Sequence, residues 1–582
     1  MRTRVLKTAI SAPRIAGLCR FSPWTCQSSK VYAARNHQFS TQPSTEKPYY
    51  VTTPIFYVNA APHVGHLYSM VLTDILKRWQ QLKGNRAILC TGTDEHGLKI
   101  QQASANAGID PKLFCDKGAE IFKELASKAE ISNDHFIRTT DKEHKDAVEY
   151  AWFLLQEKGY IYTSKHEGWY SVSDEAFYPQ SAIQLYLDPP TGRKIMTSIE
   201  TGSEVEWTSE KNYHFRLSAF RDDLLEFYKA NPTWILPDYR MKEVVDAVES
   251  GLEDLSISRP SSRLSWGIRV PQDDTQTMYV WLDALMNYVT KAGYPWQPGL
   301  DHVGGWPADC HVIGKDIVRF HCIYWPAFLM ALDLPLPKRI LTHGHWTLGG
   351  SKMSKSTGKV VDPFHALDRF GPDVMRFFLA HDGGLVQDAD YDNIRIILLY
   401  NKFLMGHYGN LASRVMRGKK WSVRGAVERI GDRLEEECQE GPGSRYYKNS
   451  LCTIAPKVEV AMDAFDPRGA VRLIADFVRG TNLFFQMSEP WDKVLTFGEG
   501  NPGEDVDQII FLAAEGLRIT GILLQPYMPN KAAHLLDMLG VDASRRTFEY
   551  CRPGCDLEYG TPKVELGVSY NGTLFPPLAS EE

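Results

Sequence analysis

The chain reads as an α/β protein in which a parallel-sheet domain comes first and an all-α helix bundle follows. Three patterns carry that reading. Tyr49-Tyr50-Val51-Thr52-Thr53 and Ala87-Ile88-Leu89-Cys90-Thr91 are short β-prone runs. Between them Leu67, Val71, Ile75, Trp79 and Leu82 recur at spacings of three or four, the apolar stripe of an amphipathic helix. Strand, helix and strand in that order form a right-handed crossover of a parallel sheet. Beyond Asp392, helical periodicity runs from Ile396 through Arg414 and returns at about 458–486 and 509–524, the pattern of a bundle.

The boundaries follow from local chemistry. Pro54 is expected to stop the first strand, and Gly84 to end the helix. Pro490 and Pro526-Tyr527-Met528-Pro529 punctuate the helical part. The charged, glycine-containing segment from Arg417 to Gly443 reads as a solvated turn region, and residues 546–582 as a strand-and-turn tail without an assignable role. Asn571-Gly572-Thr573 has the form of a glycosylation acceptor, which matters only to a protein that enters the secretory pathway.

Composition bounds the possibilities. A chain of 582 residues, 43% hydrophobic and 23% charged, has the make-up of an ordinary soluble globular protein. No apolar run approaches the ~20 residues that a membrane-spanning helix requires. Ten cysteines lie scattered, and apart from Cys551 and Cys555 none are closely paired, which argues against a disulfide framework or a zinc knuckle. Residues 1–45 hold seven basic residues and no acid, +7 against −6 for the whole chain, so the remainder carries −13. A basic leader with serine and without acids is the composition of a mitochondrial transit peptide. The acidic remainder argues against indiscriminate nucleic-acid binding, and a local basic track for RNA stays compatible with it.

Two short motifs bear on chemistry. His63-Val64-Gly65-His66 falls at the start of the predicted helix. Unpaired N–H groups and the positive dipole end favour an anion there. Imidazoles add directed donors, and Gly65 lets a nucleotide base approach the backbone. The plainer reading is a pair of helix-capping histidines. Far downstream, Lys352-Met353-Ser354-Lys355-Ser356 lies among Gly, Ser and Thr residues, as a mobile loop would. Two lysines on such a loop can neutralise a departing pyrophosphate. Together the motifs point to an enzyme that splits ATP between its α- and β-phosphates.

At this point the sequence resembles the class I aminoacyl-tRNA synthetases, and among them the methionyl-tRNA synthetases of mitochondrial type. The resemblance rests on Thr52–Asn59, Thr91–Gly97, Tyr279–Ala284, Ile313–Asp316 and the lysine loop, in family order. It implies a Rossmann-like parallel-sheet catalytic domain split by a connective insertion, followed by a helix-bundle anticodon-binding domain. The expected division is a transit peptide at 1–45, a first catalytic half at 46–165 and the insertion at 166–260. A second half at 261–335, the lysine-loop and stem-contact region at 336–395, the anticodon-binding helices at 396–545 and the tail complete it.

Carried over residue by residue, the resemblance implies a methionine pocket of Ile55, Tyr57, Asp94, Trp281, Ala284, Tyr288, Ile317 and His321. Asp94 would take the ammonium, Trp281 and Tyr288 would face the thioether, and Tyr57 and His321 would hydrogen-bond near the sulfur. Trp281 and Tyr288 would otherwise read as core aromatics. For ATP it implies His63 and His66 at the phosphates with Gly65, Gly314 beside the adenosine, Asp316 at the ribose and the backbone of Trp346 at the base. Lys352 and Lys355 would meet the pyrophosphate. Asn410, Arg414 and Trp491 would read the anticodon. His343, His345 and His96 are expected to be structural rather than metal ligands.

Many relatives carry zinc-binding cysteine knuckles in the insertion, but this chain has no cysteine from Asp116 to Asp309. Tyr170-Ser171-Val172-Ser173-Asp174 offers no thiolates for a closed tetrahedral site. The expected partners are therefore methionine, tRNA(Met) and ATP with Mg2+, without structural zinc, in a monomer of the mitochondrial matrix with no membrane attachment. Two other readings remain at this stage: a class I synthetase for another amino acid, and an RNA-binding or splicing cofactor on a synthetase scaffold.

Overall fold

The computed structural model describes residues 46–171, 176–178, 180–188, 192–199, 201–297, 299–353, 360–433, 442–497, 503–567 and 572–578. The basic leader and Ser354–Lys359, Lys355 included, lie outside the described residues, as does the side chain of Lys352.

Six strands build the central sheet: β1 (Tyr49–Tyr57), β2 (Ala87–Asp94), β3 (His135–Arg138), β4 (Ile235–Leu236), β5 (Cys310–Gly314) and β6 (Ile340–His343). Their order is β3-β2-β1-β5-β6-β4, and every neighbouring pair is parallel. β2 is buried at every position, as a central strand covered on both faces must be. β1 continues through Pro54, where the sequence put its end. Its register against β2 shifts between Thr52 and Ile55, and proline, lacking an N–H, is tolerated at such an irregularity.

α1 (Val64–Leu82) crosses from β1 to β2 and buries the predicted stripe of Leu67, Val71, Ile75, Trp79 and Leu82. Gly84 follows its end at φ +85°. After α2 (Lys142–Glu157) the chain leaves the sheet, and Ile161–Ser171 pairs antiparallel with Glu206–Phe215. β4, within the stretch 166–260, returns to the sheet edge beside β6. Two short helices, α3 (Val280–Leu285) and α4 (Asn287–Thr290), precede β5.

Past β6, where the sequence suggested a loop, β7 (Trp346–Leu348) and β8 (Ser351–Lys352) form a hairpin. Gly349 and Gly350 both sit at positive φ, +60° and +71°, which tight two-residue hairpin turns demand. α5 (Pro372–Asp382) then leads to a long helix: Asn393–Leu399, a π-helical stretch Tyr400–Gly409, and α6 (Asn410–Met416).

Two sequence readings are corrected beyond α6. Within the expected turn region lies α7 (Val423–Ile430), which buries Val423, Ala426, Val427 and Ile430. The bundle continues with α8 (Pro442–Asp463), α9 (Pro467–Ser488), α10 (Pro490–Phe497), α11 (Glu504–Leu523) and α12 (Pro529–Leu539). Proline at the first helical position is pre-organised and loses no needed N–H, so these prolines start helices. α11 is buried on nearly all sides, the central rod of the bundle.

The tail forms no strand among the described residues. Arginine and lysine side chains hold its carbonyls instead of a ladder. Arg424 Nη1 donates to Leu557 O (2.7 Å) and Tyr559 O (3.1 Å), and Lys531 Nζ to Leu574 O (2.7 Å). Tyr559, Leu574 and Phe575 are buried against the helices.

Candidate active site

The strand order reverses between β1 and β5, and a crevice opens at the carboxyl ends of strands where such a switch occurs. Ile55 and Tyr57 close β1, Asp94 closes β2, Gly314 closes β5 and His343 closes β6. α1 begins beside the same edge. Two adjoining cavities occupy this crevice, and Pro54, Ile55, Tyr57, Asp316 and Ile317 line both.

The larger cavity, about 350 Å³, is lined by all eight residues of the expected methionine set: Ile55, Tyr57, Asp94, Trp281, Ala284, Tyr288, Ile317 and His321. Trp281 is half-buried and stacks on Tyr324 at 5.3 Å between ring centres, with Phe320 edge-on at 5.2 Å. His321 Nδ1 lies 2.9 Å from Ile317 O, so that nitrogen carries the proton, and Nε2 accepts from the Tyr288 hydroxyl at 2.6 Å. Burial pushes the imidazole down to about 4, so it is neutral at physiological pH. Burial likewise raises the Tyr288 hydroxyl and keeps it protonated. Both His321 nitrogens are thus engaged within the protein, so the ring meets a ligand in this cavity without a spare N–H. Lys99, Asn287 and Phe320 also line the cavity, and the motifs gave no sign of them. Lys99 follows the Thr91–Gly97 motif by two residues, which was the available signal.

The smaller cavity, about 260 Å³, is lined by His63, Gly65, His66, Gly314, Asp316 and Trp346, together with Ser69, His343, His345 and Met353. His63 is the N-cap of α1. Its Nδ1 accepts from Gly65 N (3.0 Å), and its own N–H donates to His66 Nδ1 (3.0 Å). A neutral imidazole that accepts at Nδ1 carries its proton on Nε2. Capping therefore sets both rings in the tautomer that offers an Nε2–H donor, and the two rings stack at 3.8 Å. The capping and anion-binding readings of this motif are compatible. A Cβ on Gly65 would lie 2.8 Å from the His63 ring, so the capping geometry itself requires glycine.

His343 bonds Ser69 Oγ through Nε2 (2.8 Å) and Gly344 O through Nδ1 (2.8 Å), tying β6 to α1. Burial lowers it to about 4. His345 Nε2 lies 3.2 Å from Asp316 Oδ1. Among the described residues no group of three His, Cys, Asp or Glu side chains could hold a metal ion.

The three residues expected to read RNA sit apart, in the bundle. Asn410 is exposed on α6. One turn on, the Arg414 guanidinium lies 5.0 Å from the Trp491 ring centre and 5.1 Å from that of Phe485, and it donates to Gln486 Oε1 (2.9 Å). Trp491 is half-buried.

Comparison with known proteins agrees with this architecture. The family described as tRNA synthetases class I (M) matches residues 49–416. A probable mitochondrial methionine–tRNA ligase of Neurospora crassa is 52% identical over 600 residues, 98% of this chain and 94% of that protein. The mitochondrial methionine–tRNA ligase of Homo sapiens is 42% identical, covering 86% of this chain and 85% of its own. The solved structure of Mycobacterium tuberculosis methionyl-tRNA synthetase with methionyl-adenylate superimposes with a TM-score of 0.81 at 38% identity, over 91% of this chain and all of that one. With a family model spanning more than half its length and relatives this similar end to end, the chain belongs to the methionyl-tRNA synthetases of the class I family.

Proposed function

We propose that this protein attaches methionine to tRNA(Met) for mitochondrial translation, through a methionyl-adenylate formed where the two cavities meet. The ligase activity, converting ATP to AMP and diphosphate, goes with the family and its named relatives. The observation that carries the site assignment is the shared wall of Pro54, Ile55, Tyr57, Asp316 and Ile317. An amino acid in the aromatic cavity and a nucleotide at the α1 end would bring carboxylate and α-phosphate together there.

In this scheme Asp94 holds the methionine ammonium, and Trp281 and Tyr288 face the polarizable thioether. His63 and His66 donate from Nε2 to phosphate oxygens, Gly314 and Asp316 contact adenosine and ribose, and the Trp346 backbone meets the base. Lys352 and Lys355 neutralise the leaving pyrophosphate. ATP enters as its magnesium complex, the metal being part of the substrate. The methionine carboxylate is itself the nucleophile, so the protein supplies orientation and charge rather than a covalent intermediate. The 2′-hydroxyl of the terminal ribose then takes the methionyl group, while Asn410, Arg414 and Trp491 select the tRNA by its anticodon. Mitochondrial naming of the relatives and the basic leader support action in the matrix. We further infer a monomer, which sedimentation at working concentration would check.

Methionine-dependent ATP–pyrophosphate exchange is the deciding assay. Exchange with methionine, and not with leucine, valine or cysteine, is expected. Exchange with another amino acid alone, or none in a folded protein, would reject the reading.

A further inference from the structure

Asp283 lies on α3 between two cavity-lining neighbours, Trp281 and Ala284, yet it is fully buried and does not line the cavity itself. Its carboxylate bridges two histidines: Oδ2 is 2.7 Å from His96 Nδ1, and Oδ1 is 2.8 Å from His144 Nε2. Both rings are buried as well. The Thr290 hydroxyl donates to Met286 O at 2.8 Å and lies 3.3 Å from His144 Nδ1. Burial alone would raise the Asp283 carboxyl, but the charge and hydrogen bonds of the two histidines prevail and hold it below the usual carboxylate range.

Three of the four elements joined in this way, the end of β2, α3 and α4, carry residues that line the larger cavity. His96 follows Asp94 by two residues beyond β2, Asp283 shares α3 with Trp281 and Ala284, and Thr290 shares α4 with Tyr288. His144 on α2 anchors the set from behind. We propose that His96, Asp283 and His144 form a cross-brace that fixes the gap between the end of β2 and helices α3 and α4, and so sets affinity for methionine independently of ATP. This rests on the assignment of the larger cavity to methionine. A ligand held at one end by Asp94 and at the other by α3 and α4 engages both only at one separation. The nucleotide-side residues His63, Gly65, His66, Gly314 and Trp346 lie at or on α1, β5 and β7, and Asp316 just past β5, so none of them belongs to the brace.

The test uses the full-length chain carrying Asp283→Asn, His144→Gln or Thr290→Val, with exchange kinetics measured for methionine and ATP separately and a thermal unfolding midpoint for each variant. Breaking a buried charge-assisted hydrogen bond should raise the methionine KM about tenfold in the first two variants. Thr290→Val keeps the shape and should give a smaller rise of the same sign. In all three, kcat and the ATP KM should stay within about twofold of wild type, as expected of residues acting on ground-state binding alone. An unchanged methionine KM in a folded Thr290→Val or His144→Gln protein would overturn the brace. So would methionine and ATP KM rising together. Absence of methionine-dependent exchange in the wild type would instead remove the functional reading beneath it.

Discussion

His321 is expected to hydrogen-bond near the thioether, and burial fixes its charge state. It is held neutral, as are His311 and His343, in each case chiefly because an imidazolium there would lose its hydration. For His321 and His343 the folded-state value falls from 6.5 to about 4. Between those values the unfolded chain binds protons that the folded chain does not, so stability rises with pH across that window. Acidification from pH 6.5 towards 4 should therefore cost on the order of 3 kcal/mol per histidine. Urea midpoints measured at several pH values should fall steadily over that range, and His343→Gln should flatten the slope; a flat wild-type profile would contradict these depressed values. For Lys355 we propose a part in transition-state chemistry instead. Lys355→Ala should lower the adenylation rate constant about 100-fold with little change in the methionine dissociation constant. A weaker dissociation constant at normal rate would remove its role.

Helix α6 and the start of α10 supply the proposed RNA-reading surface, where Arg414 lies against Trp491. Losing a base stack there should cost about 1–3 kcal/mol. Trp491→Ala should raise the tRNA KM by about 5- to 150-fold on that scale, and leave pyrophosphate exchange near normal. Equal loss of both activities would mark a folding defect. Elsewhere, element boundaries depended on how visible the periodicity was. Val423, Ala426, Val427 and Ile430 have the i, i+3, i+4, i+7 spacing of a buried helical face. Arg417, Lys419, Lys420 and Gly425 masked it by composition. β1 runs past Pro54 because a register shift accommodates the missing N–H.

Arg376 joins the catalytic and helical parts of the molecule. Fully buried on α5, it pairs with Asp74 of α1 at 2.6 Å and donates to Pro526 O (2.7 Å) and Tyr527 O (3.2 Å), in the corner between α11 and α12. Asp74 also accepts from Ser132 N (2.8 Å) and Arg78 Nε (2.7 Å). Removing Arg376 leaves the buried Asp74 carboxylate with Arg78 and Ser132 as partners, so Arg376→Met should lower unfolding free energy by about 3 kcal/mol. Equilibrium urea unfolding would detect this, and a loss below about 1 kcal/mol, as surface pairs give, would show the joint to be dispensable.

Nothing near Arg376 or Asp74 in the chain announces their pairing, and the same holds for Asp283 with His144. These contacts join residues far apart in sequence, and a spacing rule sees only neighbours. Local pattern was enough for the α1 stripe, the buried strand β2 and the family motifs, because each depends on chain geometry over a few residues. The line-up of eight dispersed residues around one cavity followed from resemblance, not from spacing. Which imidazoles are neutral, which tautomer each adopts and how the two cavities share a wall depend on burial and on partners brought together by folding. Desolvation and hydrogen-bond geometry are properties of that assembled environment, and the order of residues alone does not contain them.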